Sequence, residues 1–341
     1  MIISRTPYRI SLFGGGTDYP AWYRTHGGAV IGTAINKYCY ISIRHLPPFF
    51  EHRHRIVYSK VELPNTLDAI EHPAVRAVLQ ESRVDVGVEV QHHGDLPARS
   101  GMGSSCAFTV GLLNAVRAFD GQMSSPQWLA EEATRIEQEV ICEDVGSQDQ
   151  VWAAFGGTNM ITFHPDGSFR VSPIIMSQDR RYDLQSHMML FFTRSTRIAA
   201  TIAAKQIANL ANRQQQLERM RDMVDEAAAL LNSRHPAMAD LGAVLDESWA
   251  MKKELADGVT TPLIDDIYRE AMRAGALGGK LLGAGGGGFV LLFARPEDQL
   301  RIRRRLRGLI EVSFQIGSAG SKIVMYEPEA VEDLEEALAC G

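Results

Sequence analysis

Four glycines in succession, Gly285 to Gly288, stand between Leu282 and the apolar run Phe289 to Phe293. Glycine loses more backbone freedom on ordering than any other residue, so something must gain from a close backbone approach at this place. Two further glycine-rich breaks punctuate the 341-residue chain: Gly14 to Gly16 in RTPYRISLFGGGTDYPAW, and Gly101 and Gly103 in LPARSGMGSSCAF. The first two follow strand-like runs, and the third leads into one.

Around these breaks the sequence reads as α+β. Val, Ile and Tyr content of the kind a half-buried sheet requires marks strands at Ile2 to Leu12, Ala29 to Leu46, Arg55 to Leu63 and Val84 to His93. Helices are expected over Phe108 to Phe119 and Pro126 to Val140, the second with Ser125 as N-cap and Pro126 in its first turn. A hairpin is expected around Pro165, Asp166 and Gly167. The polar stretch Ser177 to Ser186 marks the domain boundary, giving segments 1–182 and 183–341. Beyond it come a buried strand in HMMLFFT, a helical region Ile198 to Asn232, and helices Met238 to Glu254, Pro262 to Ala274 and Pro296 to Leu309. A strand pair (Glu311 to Ile316, Lys322 to Tyr326) and an acidic terminal helix complete the reading, as a small sheet covered by helices on one side.

Thirty-five basic against 41 acidic residues give a net charge of −6, which argues against a nucleic-acid partner. The local exception, Arg301, Arg303, Arg304, Arg305 and Arg307, alternates with Ile302, Leu306, Leu309 and Ile310 as on a solvated helix face. Cys39, Cys106, Cys142 and Cys340 show no metal-ligand spacing, so reduced thiols in a cytoplasmic protein are expected. MIISRTPYRI lacks the pattern of a signal peptide, and no apolar run reaches the ~20 residues of a membrane span, so no membrane partner is expected.

The loop Gly101-Met102-Gly103-Ser104-Ser105 joins a strand to a helix, and its glycines, hydroxyls and following helix N-terminus have the composition of a phosphate cradle. It is neither a Walker A loop nor a dinucleotide fingerprint, and taken alone it reads equally as a plain helix cap. Gly14 to Gly16 with Asp18 likewise fits a tight turn followed by a capped helix. Downstream, Glu137 lies inside a helix, and Asp149 lies in a polar turn before the apolar VWAAF run. Either carboxylate, taken singly, reads as solvated or ion-paired more readily than as functional.

Taken together the motifs resemble the GHMP kinase superfamily of ATP-dependent small-molecule kinases. Pro7, Arg9, Gly14, Thr17, Asp18 and Tyr19 are similar to the first motif of its sugar-kinase branch; Pro97 to Ala107 resemble the second, with Met102 in place of leucine, and LLGAGGGGF the third. Within the superfamily, SLFGGGTDYP, VGSQDQVWAAFGGTN and GGKLLGAGGGGFVLLF look most like the D-glycero-D-manno-heptose 7-phosphate kinases. Gly15 and Gly16 stand where galactokinases carry Glu and His, whereas fucokinases share the triple glycine.

The resemblance implies a two-domain fold, an N-terminal domain like domain 2 of ribosomal protein S5 and a ferredoxin-like C-terminal domain, with the active site between them. It implies ATP and Mg²⁺ as cofactors, with Gly101, Met102, Gly103, Ser104 and Ser105 on the ATP phosphates, and Ser105 and Glu137 on the metal. Asp149 aligns with the catalytic aspartate and Arg9 with the arginine that pairs with it. A guanidinium there would favour an ionised carboxylate and stabilise negative charge in the transition state. Gly15, Gly16, Thr17 and Asp18 would hold the sugar or sugar phosphate, Gly285 and Gly286 would close over it, and Arg197 and Lys280 are candidates for a substrate phosphate. The alternatives are an L-fucokinase-like or other sugar 1-kinase, or a catalytically silent sensor on the same fold. A homodimer is left open.

Overall fold

The computed structural model describes residues 1–195, 199–233 and 238–328. In chain order it contains β1 (Ile2–Phe13), α1 (Pro20–His26), β2 (Gly28–His45), β3 (Arg55–Val57), β4 (Val61–Glu62), α2 (Pro73–Glu81), β5 (Val88–Gly94), α3 (Ser104–Phe119), α4 (Pro126–Arg135) and α5 (Gln148–Phe155). There follow β6 (Thr158–Phe163), β7 (Phe169–Pro173), α6 (Gln178–His187), β8 (Met188–Phe192), α7 (Ala199–Asn209), α8 (Gln214–Asn232), α9 (Met238–Lys253) and α10 (Pro262–Arg273). The series ends with β9 (Ala276–Leu281), β10 (Phe289–Ala294), α11 (Gln299–Arg305), β11 (Ile310–Glu311) and β12 (Lys322–Tyr326).

Two sheets organise the molecule. The larger has the order β12-β1-β2-β5-β3-β4, with β6 added along β2 and β7 added on β6. The 18-residue β2 makes this possible: one edge pairs with β1 along most of its length, and the other pairs with β6 over residues 28–33 and with β5 over residues 39–45. The smaller sheet has the order β11-β8-β10-β9.

Every residue of β10 is buried, and its two faces enter different cores. Phe289, Leu291 and Phe293 join a large core containing Ile10 and Ile31 of the first sheet. Val290, Leu292 and Ala294 join a second core with Trp249, Ile267 and Ile302. The expected sheet covered on one side is therefore covered on both, as the continuously apolar FVLLFA demands.

The expected pairing of Glu311 to Ile316 with Lys322 to Tyr326 does not occur. β11 is only two residues long and joins β8, while β12 crosses back to pair with β1. The last described strand thus belongs to the first sheet although it lies in segment 183–341. The polar stretch chosen as boundary is α6, capped by Ser177, whose hydroxyl accepts from the Arg180 N–H. α11 is shorter than Pro296 to Leu309, and β9 adds a strand where the sequence shows a glycine break, since Leu277, Gly278 and Gly279 read as part of that break. The acidic terminal helix and Cys340 lie outside the described residues. Among those described, Cys39, Cys106 and Cys142 are free thiols, and no helix is long and apolar enough to cross a membrane.

Candidate active site

Between the two sheets lies a cleft of about 920 Å³, into which all three glycine loops deliver residues. Its centre is an ion pair. Pro7 lies within β1, and the register against β2 shifts between Pro7 and Arg9, a local irregularity of the kind that re-aims side chains beside functional sites. Arg9 is 4% exposed and forks Asp149, Nε to Oδ1 at 2.6 Å and Nη2 to Oδ2 at 2.6 Å. Its third arm, Nη1, donates to Gly101 O at 2.8 Å, and its backbone N–H donates to Met102 O at 3.2 Å. One residue therefore fastens β1, the second glycine loop and the first turn of α5. A bidentate pair with so little exposure fixes both partners in orientation.

Asp149 is the second residue of α5, not part of a preceding turn. α3 starts at Ser104, four residues before the expected Phe108, because Gly103 takes a left-handed conformation (φ 73°) and acts as its N-cap. A Cβ on Gly103 would stand 3.2 Å from Asp149 Oδ2, so the missing side chain brings this turn against the ion pair. Ser104 and Ser105 line the cleft at the helix N-terminus, where unpaired N–H groups and the macrodipole favour an anion.

Further along the same wall, Glu137 sits in a π-helical turn, Ile136–Val140. It is 1% exposed and makes no ion pair among the described residues; Thr109 Oγ1 donates to Oε1 at 2.7 Å and Gln150 Nε2 to Oε2 at 2.5 Å. Burial pushes its carboxyl up to about 7, against the pull of these hydrogen bonds. Ser105 and Glu137 make an all-oxygen donor set with one carboxylate on the cleft wall, which fits a magnesium ion that keeps several waters; no group of three or more His, Cys, Asp or Glu suited to a metal occurs among the described residues.

At the opposite end, Gly15, Gly16, Asp18 and Tyr19 line the cleft. Asp18 is 2% exposed and accepts from the Gly16 N–H at 2.8 Å. It is no helix cap: α1 begins after Tyr19 with no side-chain cap. Burial raises the Asp18 carboxyl above its usual range and the nearby Asp149 adds to this, opposed by hydrogen bonds from Gly16 and Gln148. Gln148 also accepts from Ser11 Oγ at 2.7 Å.

Two family descriptions match the sequence, "GHMP kinases N terminal domain" over residues 69–157 and "GHMP kinases C terminal" over residues 204–311, together more than half the chain. The chain belongs to the GHMP kinase family. Members are ATP-dependent phosphotransferases, and the two-sheet architecture above is the two-domain GHMP kinase fold. A D-glycero-alpha-D-manno-heptose 7-phosphate kinase of Campylobacter jejuni is 28% identical over 90% of this chain and 93% of its own length. An L-fucokinase/L-fucose-1-P guanylyltransferase of Bacteroides fragilis is 24% identical over 90% of this chain, which spans only 36% of that protein. Among solved structures, a D-glycero-D-manno-heptose 1-phosphate kinase from Bacteroides thetaiotaomicron superposes with a TM-score of 0.76 at 23% identity, covering 96% of this chain and 100% of that one.

Within this GHMP kinase cleft, several expected residues take other places. Thr17 is fully buried and off the cleft wall, its hydroxyl donating to Gly14 O and Ala29 O at 2.8 and 2.9 Å. The Met102 side chain lies in the core. Gly285 and Gly286 pack against Val259, the latter donating its N–H to Val259 O, and do not line the cleft. Their neighbours Gly283 and Ala284 do. A Cβ on Gly283 would stand 2.4 Å from the Cα of Gly101, and one on Gly288 would stand 2.2 Å from Ser100 O, so the third loop is seated backbone to backbone on the second. Arg197 lies outside the described residues.

Lys280 does face the cleft, 1% exposed, as does Lys252, which sequence reasoning missed. A signal existed for Lys252: it continues the buried stripe Leu241, Leu245, Ser248 along α9 at helical spacing. Gln206 of α7 was also missed; it donates to Ala284 O at 2.7 Å and accepts from the Tyr19 hydroxyl.

Proposed function

We propose that this GHMP kinase transfers the γ-phosphoryl group of ATP to the anomeric hydroxyl of D-glycero-D-manno-heptose 7-phosphate, giving the 1,7-bisphosphate and ADP. The observation that carries the reading is the Arg9–Asp149 fork, set between the serine-lined phosphate loop and the Asp18 wall. Phosphoryl transfer needs positioning and charge neutralisation more than covalent help. Asp149 accepts the proton of the attacking hydroxyl, which as an anomeric hydroxyl needs only a modest base. Arg9 holds that carboxylate in place and contributes positive charge beside the transferring group.

Gly101, Gly103, Ser104 and Ser105, from segment 1–182, cradle the ATP phosphates at the N-terminus of α3. The rings of Tyr58, His72 and Phe108 form the adenine wall, His72 lying 4.8 Å from Tyr58 and 4.7 Å from Phe108 between centroids. Ser105 and Glu137 would hold Mg²⁺, which when bound neutralises charge on the phosphates. Gly15, Gly16 and Asp18 hold the sugar, with Gly283 and Ala284 from segment 183–341 across from them. The product serves nucleotide-activated heptose for surface polysaccharide, made in the cytoplasm.

The likeness to the Campylobacter heptose 7-phosphate kinase over nearly its full length supports this acceptor. A fucokinase-like acceptor is the second reading, supported by the likeness to the Bacteroides fragilis protein. The intact Arg9–Asp149 ion pair disfavours a silent sensor. A coupled ADP-release screen over heptose 7-phosphate, fucose, galactose, mannose and their phosphates decides the acceptor. Turnover of heptose 7-phosphate above all others is expected; activity restricted to unphosphorylated sugars overturns the heptose 7-phosphate reading.

A further inference from the structure

Among the described residues, two lysines meet in the cleft without carboxylate partners. Lys280, on β9, donates its ammonium to Leu12 O at 2.9 Å. Lys252, in the last turn of α9, donates to Leu281 O at 3.3 Å and to Gly283 O. Both line the cleft and are more than nine-tenths buried, and among the described residues neither makes an ion pair. Carbonyl dipoles alone are weak compensation for a buried ammonium.

The two nearest carboxylates are already engaged, Asp149 by the fork of Arg9 and Asp18 by the Gly16 N–H. Three cations, Arg9, Lys252 and Lys280, thus share a small volume with two carboxylates. Burial and the Arg9 guanidinium push Lys252 down to about 8 against the pull of Asp18 and Asp149, and burial, then Lys252, then Arg9 push Lys280 well below the usual lysine range against Asp18. An anion entering the substrate space would favour the protonated form of both lysines and balance the three cations.

We propose that Lys252 and Lys280 form a subsite for a phosphoryl dianion, distinct from the serine-lined loop at the N-terminus of α3. The two ammonium groups project from different elements of the smaller sheet's half, and Lys280 is tied to the end of β1 in the larger sheet, so the subsite bridges the two halves. Such a dianion has two sources, the acceptor's own non-reacting phosphate or the phosphoryl group in transit from ATP. The first source rests on the heptose 7-phosphate reading above; the second does not.

The test uses Lys252→Gln and Lys280→Gln, in which the amide retains an N–H donor for the backbone carbonyls while the charge is removed. Thermal melts report the fold, and either variant remaining folded is sufficient. Kinetics are then read with D-glycero-D-manno-heptose 7-phosphate and with the unphosphorylated heptose. If the acceptor's phosphate occupies the subsite, KM for the phosphorylated sugar rises about 100-fold while KM for the unphosphorylated one holds. If the transferring group occupies it, kcat falls about 100-fold with both acceptors. Constants within about threefold of the unmodified protein for both acceptors overturn the proposal. Lys253→Met, at the neighbouring half-buried lysine, controls for nonspecific loss of charge. Should the unmodified protein fail to turn over heptose 7-phosphate, the acceptor reading fails by itself, and the kcat comparison is made with whichever sugar in the screen is phosphorylated.

Discussion

Asp149 and Glu137 are carboxylates on one cleft wall, and their surroundings are opposite. Asp149 takes both of its short contacts from a single guanidinium and keeps a side-chain exposure of 19%. Glu137 lines the cleft almost fully buried and receives a hydroxyl and a carboxamide, neither of which carries charge. A carboxylate at the reacting centre needs fixed orientation, which the fork supplies. One waiting for a cation has to stay available, and an arginine beside it would compete with the metal. The contrast separates the residue proposed to handle a proton from the residue proposed to hold magnesium, on geometry alone.

The largest effect that can break this contrast is at Asp149. Asp149→Asn keeps shape and removes the charge and the basicity, so sugar-dependent ADP release is expected to fall about 1,000-fold. Nucleotide affinity, measured by titration with a fluorescent ATP analogue, is expected to persist, because the loop proposed to cradle the phosphates, Gly101 to Ser105, is anchored by Arg9 through backbone carbonyls as well. Turnover within tenfold of the unmodified protein removes Asp149 from proton handling and leaves the fork a purely structural clasp.

What the sequence reveals about these two residues follows the range of the interactions involved. The strands of the first half are legible in their alternation, and Ser125 and Pro126 announce the start of α4; the Ser125 hydroxyl indeed accepts from the Trp128 N–H. The pairing of Arg9 with Asp149, 140 residues apart, is legible only through the motif resemblance, since nothing local brings them together. The seating of Gly283 on Gly101 is a backbone-to-backbone contact, so the glycines announce a close approach and say nothing of its partner. Thr17 belongs to a matching motif and yet serves the turn, because its hydroxyl is consumed by carbonyls of the neighbouring backbone. Lys252 is not legible by residue type, because a lysine is ordinarily exposed; only its place in a buried stripe of α9 marks it.

Glu137 gives the next effect in size, and its sign follows from linkage. Its carboxyl rises from 4.5 to about 7 on folding. In the metal-free protein the folded state therefore holds a proton that the unfolded chain has released, and this group's contribution to stability falls as pH rises from about 4.5 to about 7, by about 3 kcal/mol in all. Above that window both states are ionised and the penalty is constant; below it both are protonated and there is none. Glu137→Gln removes the titration, so in chelator-treated samples its urea-melt stability relative to the unmodified protein should climb across the window. Added Mg²⁺ should offset the penalty in the unmodified protein alone. Parallel pH curves for the two proteins would show that Glu137 is solvated like an ordinary surface carboxylate.

The smallest effect isolates one neutral donor. Thr109→Val preserves volume and branching but deletes the hydroxyl that Glu137 Oε1 accepts from at 2.7 Å. Because that hydrogen bond favours the ionised form, its loss raises the Glu137 carboxyl further and widens the window toward higher pH. At about pH 8, where Glu137 is ionised in the folded protein, the variant should lose about 1–2 kcal/mol in metal-free urea melts. At about pH 4.5 the loss should shrink, since a protonated carboxyl no longer depends on the same donor to offset a buried charge. An equal loss at both values would place the cost in packing of the α3 face and not in the charge of Glu137. Combining Thr109→Val with Glu137→Gln decides between these, because once the carboxylate is gone the pH dependence of the threonine substitution should vanish.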